Sequence, residues 1–486
     1  MKSAFPRQRR HRHAHVNLGL LLMGSILSVS ACSGENPVPR TPAPITLSSE
    51  ILSTPLSTAD TDRFFSITAA AGGHYYAAGF TTVNEDSQMA VARLRTTGEL
   101  DTSFGSNGIA TINVAVGTGK KAELARSVVV QSDGKIVIAG LFEHDTTATG
   151  DAARDTDIAI ARFDTTGQLD QGFGTNGVTR FDLSTGVALP NPTPNSPPIV
   201  RGDTAWGLTL LPEDSLLVIG GKHADGAART DTDYAVMKLM KNGKLDTTFG
   251  TNGLVTLDVE QGNDSPRTAI VQPDGKIVVT GHTEIAEDTP NEVVTAVLFR
   301  LVSNGQFDSS FGTNGVVSHA LGLRIAEAYD VALQGSNLVI AGYGRQATAT
   351  TVDILSARFL PDGTLDKTYG EGGVTLIDVA GQDDRSRTLK ILPDQHVLIV
   401  GQGKPTATSQ DGAVVLLTPN GRRETKLNGN GVTLLDFSGP TDALFGLVLS
   451  ADLTQAMTVG WKGVNTQEIS PTNNDDARVV RFPLSF

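Results

Sequence analysis

Short apolar runs that end in a glycine recur along the chain at a nearly constant spacing. Each run, such as KIVIAG ending at Gly140 or KIVVTG ending at Gly281, is apolar at consecutive positions, which is typical of a strand with both faces covered. Successive glycines are 59 to 61 residues apart, except for one step of 80 residues in the third copy. This period predicts tandem copies of one structural unit. The glycines are Gly79, Gly140, Gly220, Gly281, Gly342, Gly401 and Gly460.

Four strands are predicted within each copy. In the second copy they are SVVVQ, KIVIAG, DIAIARF and GVTRFDL. Asp-Gly pairs at 133–134 and 274–275 join the first two strands, and we expect a hairpin turn with positive φ at both residues. The fourth strand is predicted to begin at Ile109, Val178, Leu254, Val316, Val374 and Val432. The seventh copy ends without a fourth strand, and residues 45–49 are predicted to supply it.

Seven copies of four strands predict an all-β fold, a seven-bladed β-propeller of four-stranded antiparallel blades with the ring closed by an N-terminal strand. A β-helix would have a much shorter period, and a helical solenoid would show a spacing of 3.6 residues.

A more specific string, G-x-L-D-x-x-F-G-x-x-G, precedes the fourth strand in five copies, at residues 98–108, 167–177, 243–253, 305–315 and 363–373. A cation lies eight residues before each aspartate, and the aromatic residue is predicted to be an apolar plug. In the sixth copy Leu416, Glu424 and Leu427 replace the cation, the aspartate and the aromatic residue. Because the cation disappears together with the aspartate, we predict an ion pair that staples the loop, with a ligand or metal site as the alternative. The cations and aspartates are Arg93 and Asp101, Arg162 and Asp170, Lys238 and Asp246, Arg300 and Asp308, and Arg358 and Asp366; the plugs are Phe104, Phe173, Phe249, Phe311 and Tyr369.

The repeated string resembles the delta-60 repeat family of bacterial envelope proteins, over about residues 60–486. The resemblance implies a β-propeller and a cell-surface location. That family has no known biochemical function, so the resemblance implies no catalytic residue.

The N-terminal segment differs from the repeats. A basic stretch is followed by a short apolar run at residues 18–26 and by VSAC, which ends at Cys32, the single cysteine of the chain. This resembles a bacterial lipoprotein signal peptide, in which Cys32 becomes the acylated amino terminus; an ordinary secretory signal is the alternative. We therefore expect a signal peptide at 1–31, a lipidated cysteine with a proline-rich tether and closing strand at 32–57, and the propeller at 58–486.

Net charge narrows the partners. The chain has a formal net charge of −13, and removal of the basic signal peptide would change the net charge to about −18. Such a charge disfavours nucleic acid as a partner. Ser33 stands where an inner-membrane retention signal would have aspartate, so the lipoprotein resemblance implies the outer membrane or the cell surface. We expect a monomer that contacts the membrane through its lipid and binds an envelope protein, a glycan or an ion.

The sequence contains few candidate metal-binding residues. His144, His223 and His282 follow second strands, and we expect them on one rim among many acids. A divalent cation at this acidic rim and a solvated surface are the two interpretations, and we predict no resident cofactor because no metal-binding motif occurs. The rim acids are Glu143, Asp145, Asp151, Asp155, Asp225, Asp231, Glu284, Glu287 and Asp288.

No catalytic motif was found in the sequence, so the leading hypothesis is a binding or interaction scaffold without catalytic residues. The alternative is an exported enzyme that acts on polysaccharide, a lyase or glycoside hydrolase, through carboxylates at the channel mouth. Paired carboxylates about 5 to 10 Å apart would favour the enzyme. A structural spacer on the cell surface is a third hypothesis. The proline-rich insertion at residues 189–200 is equally compatible with a binding face and with a tolerated loop.

Overall fold

The structure is a computed structural model that describes residues 50–53, 61–83, 86–115, 122–145, 154–188, 200–225, 229–286, 289, 291–463 and 475–484. The signal peptide, Cys32 and residues 45–49 lie outside this part of the chain. The described residues form an all-β structure, whose only helices are single 3₁₀ turns at Ala71–Gly73 and Pro212–Asp214. None of these helices is long and apolar enough to cross a membrane.

The strands follow the repeat. Strand β1 (Glu50–Ser53) precedes the first copy, and a two-stranded ribbon of β10 (Val187–Ala188) and β11 (Val200–Arg201) lies in the insertion between the second and third copies. The first three copies form the strands β2 (Asp62–Ala69), β3 (Tyr75–Val83), β4 (Asp86–Leu94) and β5 (Ile109–Ile112); β6 (Glu123–Val130), β7 (Ile136–Asp145), β8 (Arg154–Phe163) and β9 (Val178–Phe181); and β12 (Thr204–Leu210), β13 (Leu216–His223), β14 (Thr232–Leu239) and β15 (Leu254–Leu257).

The remaining copies form β16 (Asn263–Val271), β17 (Ile277–Ile285), β18 (Val293–Leu301) and β19 (Val316–His319); β20 (Ile325–Gln334), β21 (Asn337–Arg345), β22 (Asp353–Phe359) and β23 (Val374–Ile377); β24 (Arg385–Ile391), β25 (Val397–Thr406), β26 (Ser409–Leu417) and β27 (Val432–Leu435); and β28 (Ala443–Leu449), β29 (Gln455–Lys462) and β30 (Asp476–Pro483). The six predicted starts of the fourth strand are confirmed, because β5, β9, β15, β19, β23 and β27 begin at those residues.

The turn between the first two strands differs from the prediction. Gly134 and Gly275 have φ near +80°, whereas Asp133 and Asp274 are not among the residues with positive φ. The amide of Gly134 donates to the carbonyl of Gln131, and the amide of Gln131 donates to the carbonyl of Lys135. The loop is thus three residues long and ends in a left-handed glycine, so only the glycine needs the special conformation.

The sequence predicted a separate four-stranded sheet for each copy, and the structure differs from this prediction in one place. The strands of the fourth and fifth copies belong to one eight-stranded sheet, because β18 and β20 share a single parallel pair, Val294 with Ile325. On either side of this pair the strands keep the antiparallel order of the other copies.

Strand β1 completes the sheet of the seventh copy. It pairs antiparallel with β30, from Glu50 opposite Arg481 to Ser53 opposite Arg478, in a sheet of order β1-β30-β29-β28. The sequence predicted that residues 45–49 would form this strand. Those residues lie outside the described part of the chain, and β1 begins at the residue that follows them.

The hydrophobic core lies between neighbouring sheets, which explains why second strands are apolar at consecutive positions. One cluster joins Ile158 and Phe173 of the second copy to Val218 and Met237 of the third. Another joins the first copy to the seventh. Packing of first strands links successive copies in the order β2, β6, β12, β16, β20, β24, β28 and again β2.

Candidate functional site

The periodic glycines accommodate a β-bulge in the neighbouring first strand. In the second copy the register shifts between Ala125 and Ser127, and Gly140 pairs with Ala125. A β-carbon on Gly140 would lie 1.9 Å from the carbonyl oxygen of Leu124, so a side chain cannot fit there. The same clash, at 1.7 to 2.4 Å, occurs at the other six glycines, and each lies beside a register shift. The glycine period is therefore the period of a bulge.

Seven residues sit in these bulges and contact one another in a closed cycle, in which aromatic and arginine side chains alternate except for one pair of phenylalanines. We call this set the bulge ring. Its contacts, from a guanidinium carbon or ring centroid to a ring centroid, are Phe65–Arg126 5.5 Å, Arg126–Trp206 3.7 Å, Trp206–Arg267 4.1 Å, Arg267–Tyr329 4.3 Å, Tyr329–Arg387 4.5 Å, Arg387–Phe445 4.8 Å and Phe445–Phe65 5.4 Å.

A cavity of about 170 Å³ is lined by the bulge ring and the residues that follow it on the first strands; we call it the ring cavity. Its lining contains Lys390 besides the three arginines, and one carboxylate, Asp330. The Asp330 carboxylate already accepts the amides of Val331 and Leu389, both at 2.9 Å. The ring cavity is thus cationic in a chain of net charge −13.

Two of the ring-cavity arginines, Arg126 and Arg267, form no ion pair with a described residue. Among the described residues, no carboxylate lies within 4.0 Å of the Arg126 or Arg267 guanidinium. Arg267 is 8% exposed and donates to the carbonyl of Pro266 at 3.0 Å and to the Tyr329 hydroxyl at 3.3 Å. Burial, together with the positive charges of Arg267 and Arg387, lowers the pKa of Arg126 to about 9. Burying a charged guanidinium costs free energy. Contact with the aromatic faces offsets part of this cost, and a bound anion would offset more.

The repeated string forms a different structure. Each predicted cation contacts its aspartate, and the hydrogen bond from Lys238 lowers the pKa of Asp246 to about 2. The nitrogen-to-oxygen distances are 2.9 Å for Arg93 and Asp101, 2.7 Å for Arg162 and Asp170, 2.8 Å for Lys238 and Asp246, 2.8 Å for Arg300 and Asp308, and 2.7 Å for Arg358 and Asp366.

Four of these cations also bind the next copy. Their guanidinium groups donate to a turn carbonyl, and the plug packs against a glycine of the same turn: a β-carbon on Gly243 would lie 2.6 Å from Phe173. The donor and acceptor pairs are Arg93 to Thr165 at 3.0 Å, Arg162 to Lys241 at 2.6 Å, Arg300 to Pro361 at 2.5 Å and Arg358 to Pro419 at 2.9 Å. We call the cation, aspartate and plug the clasp, and its geometry supports a structural role. In the sixth copy His396 contacts Glu424 at 3.0 Å in place of the missing cation.

Acidic residues also cluster in the segments that connect one copy to the next. Five buried carboxylates lie three residues before a bulge and accept amides of the preceding loop; Asp442, for example, accepts those of Phe437 at 2.6 Å and Gly439 at 3.2 Å. We call them the junction acids. Burial raises the pKa of Glu123 and of Asp203 to about 7, of Asp264 to about 8, and of Asp384 and Asp442 to about 6.

Some of the residues predicted to form the acidic rim are paired with cations, and others lie outside the described residues. Arg229 pairs with Asp231, Asp233 and Asp258, and Lys222 pairs with Asp225. Asp151, Glu287 and Asp288 lie outside the described residues, as do the side chains of His144 and Asp145.

The expected rim position is wrong for three residues, because Glu143 and Asp155 are buried within β7 and β8 and His282 is buried within β17. His282 is 1% exposed, because it directly follows a bulge glycine and packs against the next copy. His223 is half-buried and contacts the carbonyl of Arg229 at 3.1 Å.

The bulge ring was missed from sequence, although its members lie 13 to 15 residues before the periodic glycines. That spacing is a usable signal once the glycine is known to permit a bulge. The paired carboxylates expected of a polysaccharide-cleaving enzyme are not found in the ring cavity, whose described lining holds one carboxylate.

One family model matches segments in three of the seven copies. The model described as "Domain of unknown function (DUF5122) beta-propeller" matches residues 73–104, 131–173 and 272–311. These segments begin just before the second strand and end at the plug of the first, second and fourth copies. The chain is therefore a β-propeller repeat protein.

Several solved structures show a low similarity to this chain. The α-L-arabinofuranosidase Arb93A from Fusarium graminearum is 12% identical, with 73% of this chain and 91% of that chain covered and a TM-score of 0.39. An ulvan lyase of polysaccharide lyase family 25 is 11% identical, with 88% and 95% covered and a TM-score of 0.45. The β-propeller domain of the trilobed protease from Pyrococcus furiosus is 12% identical, with 87% and 93% covered and a TM-score of 0.40. No curated protein matches the chain. Similarity at this level carries no information about function.

Proposed function

We propose that this chain is a lipid-anchored protein of the bacterial cell envelope whose seven-bladed propeller is a binding module, and that the ring cavity binds an anionic group. One observation carries the proposal of an anion site: Arg126 and Arg267 face the ring cavity with no described carboxylate to pair with them.

Seven blades in a closed ring are supported by the bulge ring, whose contacts return from Phe445 to Phe65. The pairing of β1 with β30 and the packing of β2 against β28 point the same way. The single parallel pair that merges two sheets is a local contact between adjacent blades in this proposal.

The ring cavity favours a carboxylate, sulfate or phosphate group. Guanidinium groups bind such oxygens through paired N–H donors, and stacking on aromatic rings fixes the plane of each guanidinium. A small anion or an acidic unit of an envelope glycan has this chemistry. Nucleic acid is disfavoured because the protein as a whole is strongly acidic.

Intrinsic fluorescence offers a direct test, because Trp206 lies between Arg126 and Arg267. A Trp461→Phe background leaves Trp206 as the single tryptophan. We expect sulfate, phosphate, citrate or glucuronate to change its emission saturably, with an affinity that falls as salt rises.

Two variants and a control sharpen this test. Arg126→Met and Arg267→Met should abolish the response, whereas Arg180→Met, which removes an arginine stacked on Phe142 outside the ring cavity, should keep it. Arg126→Met should also leave the melting temperature unchanged or higher, because it removes a desolvated charge. Equal responses in all three variants would exclude the ring cavity as the binding site.

Membrane anchoring through Cys32 rests on the lipoprotein signal pattern alone. Metabolic labelling with a radioactive fatty acid should label the protein in a bacterial host, and Cys32→Ser should remove the label and release the protein from membranes. The outer-membrane or cell-surface location, the monomeric state and a divalent cation at the acidic rim stay predictions.

A further inference from the structure

The ring cavity has two chemically different sides. The second to sixth copies line it with three arginines, Lys390, residues with hydroxyl groups, the Asp330 carboxylate and two of the aromatic rings. The first and seventh copies contribute only one polar residue to the described lining, Ser66. Their other side chains form what we call the apolar wall, which consists of Phe65, Ile67, Phe445 and Leu447. A ligand that fills the ring cavity therefore meets positive charge on one side and apolar surface on the other.

The two phenylalanines of the apolar wall are held in place by other aromatic rings. Phe65 and Phe445 meet edge to face, with ring centroids 5.4 Å apart. Trp461 lies 4.8 Å from Phe445 and 5.8 Å from Phe65, and Phe80 stacks on Phe65 at 6.0 Å. Trp461 and Phe80 are buried, whereas Phe65 and Phe445 are half-buried and line the ring cavity. The apolar wall is thus preorganised, which lowers the entropic cost of binding a ligand.

The phenylalanines also offer more aromatic surface to a ligand than the other rings of the bulge ring do. Trp206 and Tyr329 each contact two guanidinium groups. Phe65 and Phe445 each contact only one guanidinium group among the described residues. A ligand ring that stacks on aromatic surface is therefore expected at the apolar wall and not beside Trp206 or Tyr329.

The volume of the ring cavity limits the size of its ligand. It is about 170 Å³. An apolar cavity of about 150 Å³ holds one molecule of benzene. The ring cavity therefore has room for one six-membered ring with a short charged substituent, and a glycan chain of several sugars would not fit inside it.

We propose that the ring cavity binds a small aromatic carboxylate, with its ring against Phe65 and Phe445 and its carboxylate toward Arg126 and Arg267. This inference rests on the proposed anion site and names the class of ligand that the site takes. Guanidinium groups bind carboxylates through paired N–H donors, and aromatic rings favour edge-to-face and offset contacts with one another. Sulfate or phosphate would occupy the cationic side alone and would leave the apolar wall in contact with water.

Titration calorimetry of the full chain with matched carboxylates tests the ligand class. Benzoate should bind at least tenfold more tightly than acetate, because acetate lacks the ring that covers the apolar wall. It should bind about threefold or more tightly than cyclohexanecarboxylate, which has a similar size and the same charge but no aromatic ring. Sulfate should compete with benzoate, since both anions use the same guanidinium groups.

Variants separate the apolar wall from the cationic side. Phe445→Leu and Phe65→Leu should each lower the affinity for benzoate at least threefold and change the affinity for sulfate less than twofold. Arg267→Met should abolish binding of both anions. Phe181→Leu is the matched control, because Phe181 is half-buried like Phe65 but does not line the ring cavity, and it should change neither affinity. Melting temperatures show which variants fold, and either phenylalanine variant is sufficient for the comparison.

Two kinds of failure can be distinguished. If benzoate binds no more tightly than acetate or cyclohexanecarboxylate, or if a folded phenylalanine variant loses benzoate and sulfate affinity equally, the aromatic ligand is wrong and the anion site stands. If sulfate, phosphate and all three carboxylates fail to bind, the anion site itself is wrong, and the aromatic ligand falls with it.

Discussion

At the scale of single residues, a glycine decides where the chain presents an arginine or an aromatic ring. The absence of a β-carbon at Gly140 lets the Leu124 carbonyl approach, and the resulting bulge turns Arg126 onto Trp206. The same arrangement recurs in all seven copies, yet the bulged residue itself varies. The scaffold is therefore repeated while the chemistry at its centre is not.

Gly140→Ala should lower the free energy of unfolding by about 3 kcal/mol or more, because the new methyl group meets backbone that cannot move without loss of the bulge. Gly335→Ala is the control: φ is +63° and nothing lies within 4 Å, so the backbone strain alone should cost about 1 kcal/mol. Urea denaturation measures both. Near-UV circular dichroism should change in the first variant only, since Arg126 stacks on Trp206. Equal losses would show that the bulge adapts to a side chain.

At the scale of elements, the clasp ties four copies to the copy that follows each of them. Arg358 contacts Asp366 within its own copy and donates to the carbonyl of Pro419 in the following copy. Among the described residues, Lys238 contacts Asp246 but makes no such bond to the following copy, as expected for a side chain with a single charged nitrogen.

A double-mutant cycle with Arg358→Ala and Asp366→Ala should therefore give a coupling energy of about 1 to 3 kcal/mol. The more exposed pair Lys238 and Asp246 should give less than about 1 kcal/mol. Thermal and urea unfolding of the four proteins in each cycle provide the energies. Additive losses at Arg358 and Asp366 would contradict an energetic pair.

At the scale of the whole molecule, the first and last copies meet through a buried contact. Nε of Arg63 lies 2.8 Å from Oδ2 of Asp475, and the guanidinium stacks on Trp461 at 4.5 Å. The amide of Asp62 donates to the carbonyl of Asp475 at 2.8 Å. Contacts between residues more than 400 positions apart restrict the ends of the chain as a cross-link would.

Arg63→Ala should lower the free energy of unfolding by about 3 to 5 kcal/mol, because it leaves the buried Asp475 carboxylate without this partner. Arg345→Ala is the control, since its contact with Glu292 is 4.0 Å long and partly exposed, and should cost less than about 1 kcal/mol. Scanning calorimetry compares the two. Equal melting temperatures would mean that the Arg63 contact does not contribute to stability.

Stability should be greatest at mildly acidic pH. The junction acids have raised pKa values, up to about 8 for Asp264, so they stabilise the fold when protonated and this contribution is lost as the pH rises from about 4 to 8. The clasp aspartates have lowered pKa values, about 2 for Asp246, and their contribution is lost on acidification below about pH 4. The melting temperature should therefore increase from pH 8 to about pH 5. Asp264→Asn should reduce that increase, and a parent that is most stable at pH 8 would contradict the assignment.

The local features were available from the sequence because they depend on short-range geometry. Consecutive apolar residues, the glycine period and the starts of the fourth strands at Ile109 and Val316 follow from the covalent chain. The positive φ expected at Asp133 was wrong because hairpin loops of two and three residues share the same Asp-Gly signal. The rim position expected for His282 was wrong because its burial depends on packing against the neighbouring copy.

By itself, the sequence determined an all-β repeat, its strands, and the residues of the clasp, since each of these follows from periodicity and from spacing within one copy. Only the tertiary structure decided that Arg126, Arg267 and Arg387 share a cavity, and that His282 meets Glu327. These groups come from different copies, about 45 to 260 residues apart, and nothing in local propensity fixes such pairings. The ring cavity exists because one β-bulge, repeated in each first strand, directs a variable side chain to the same place.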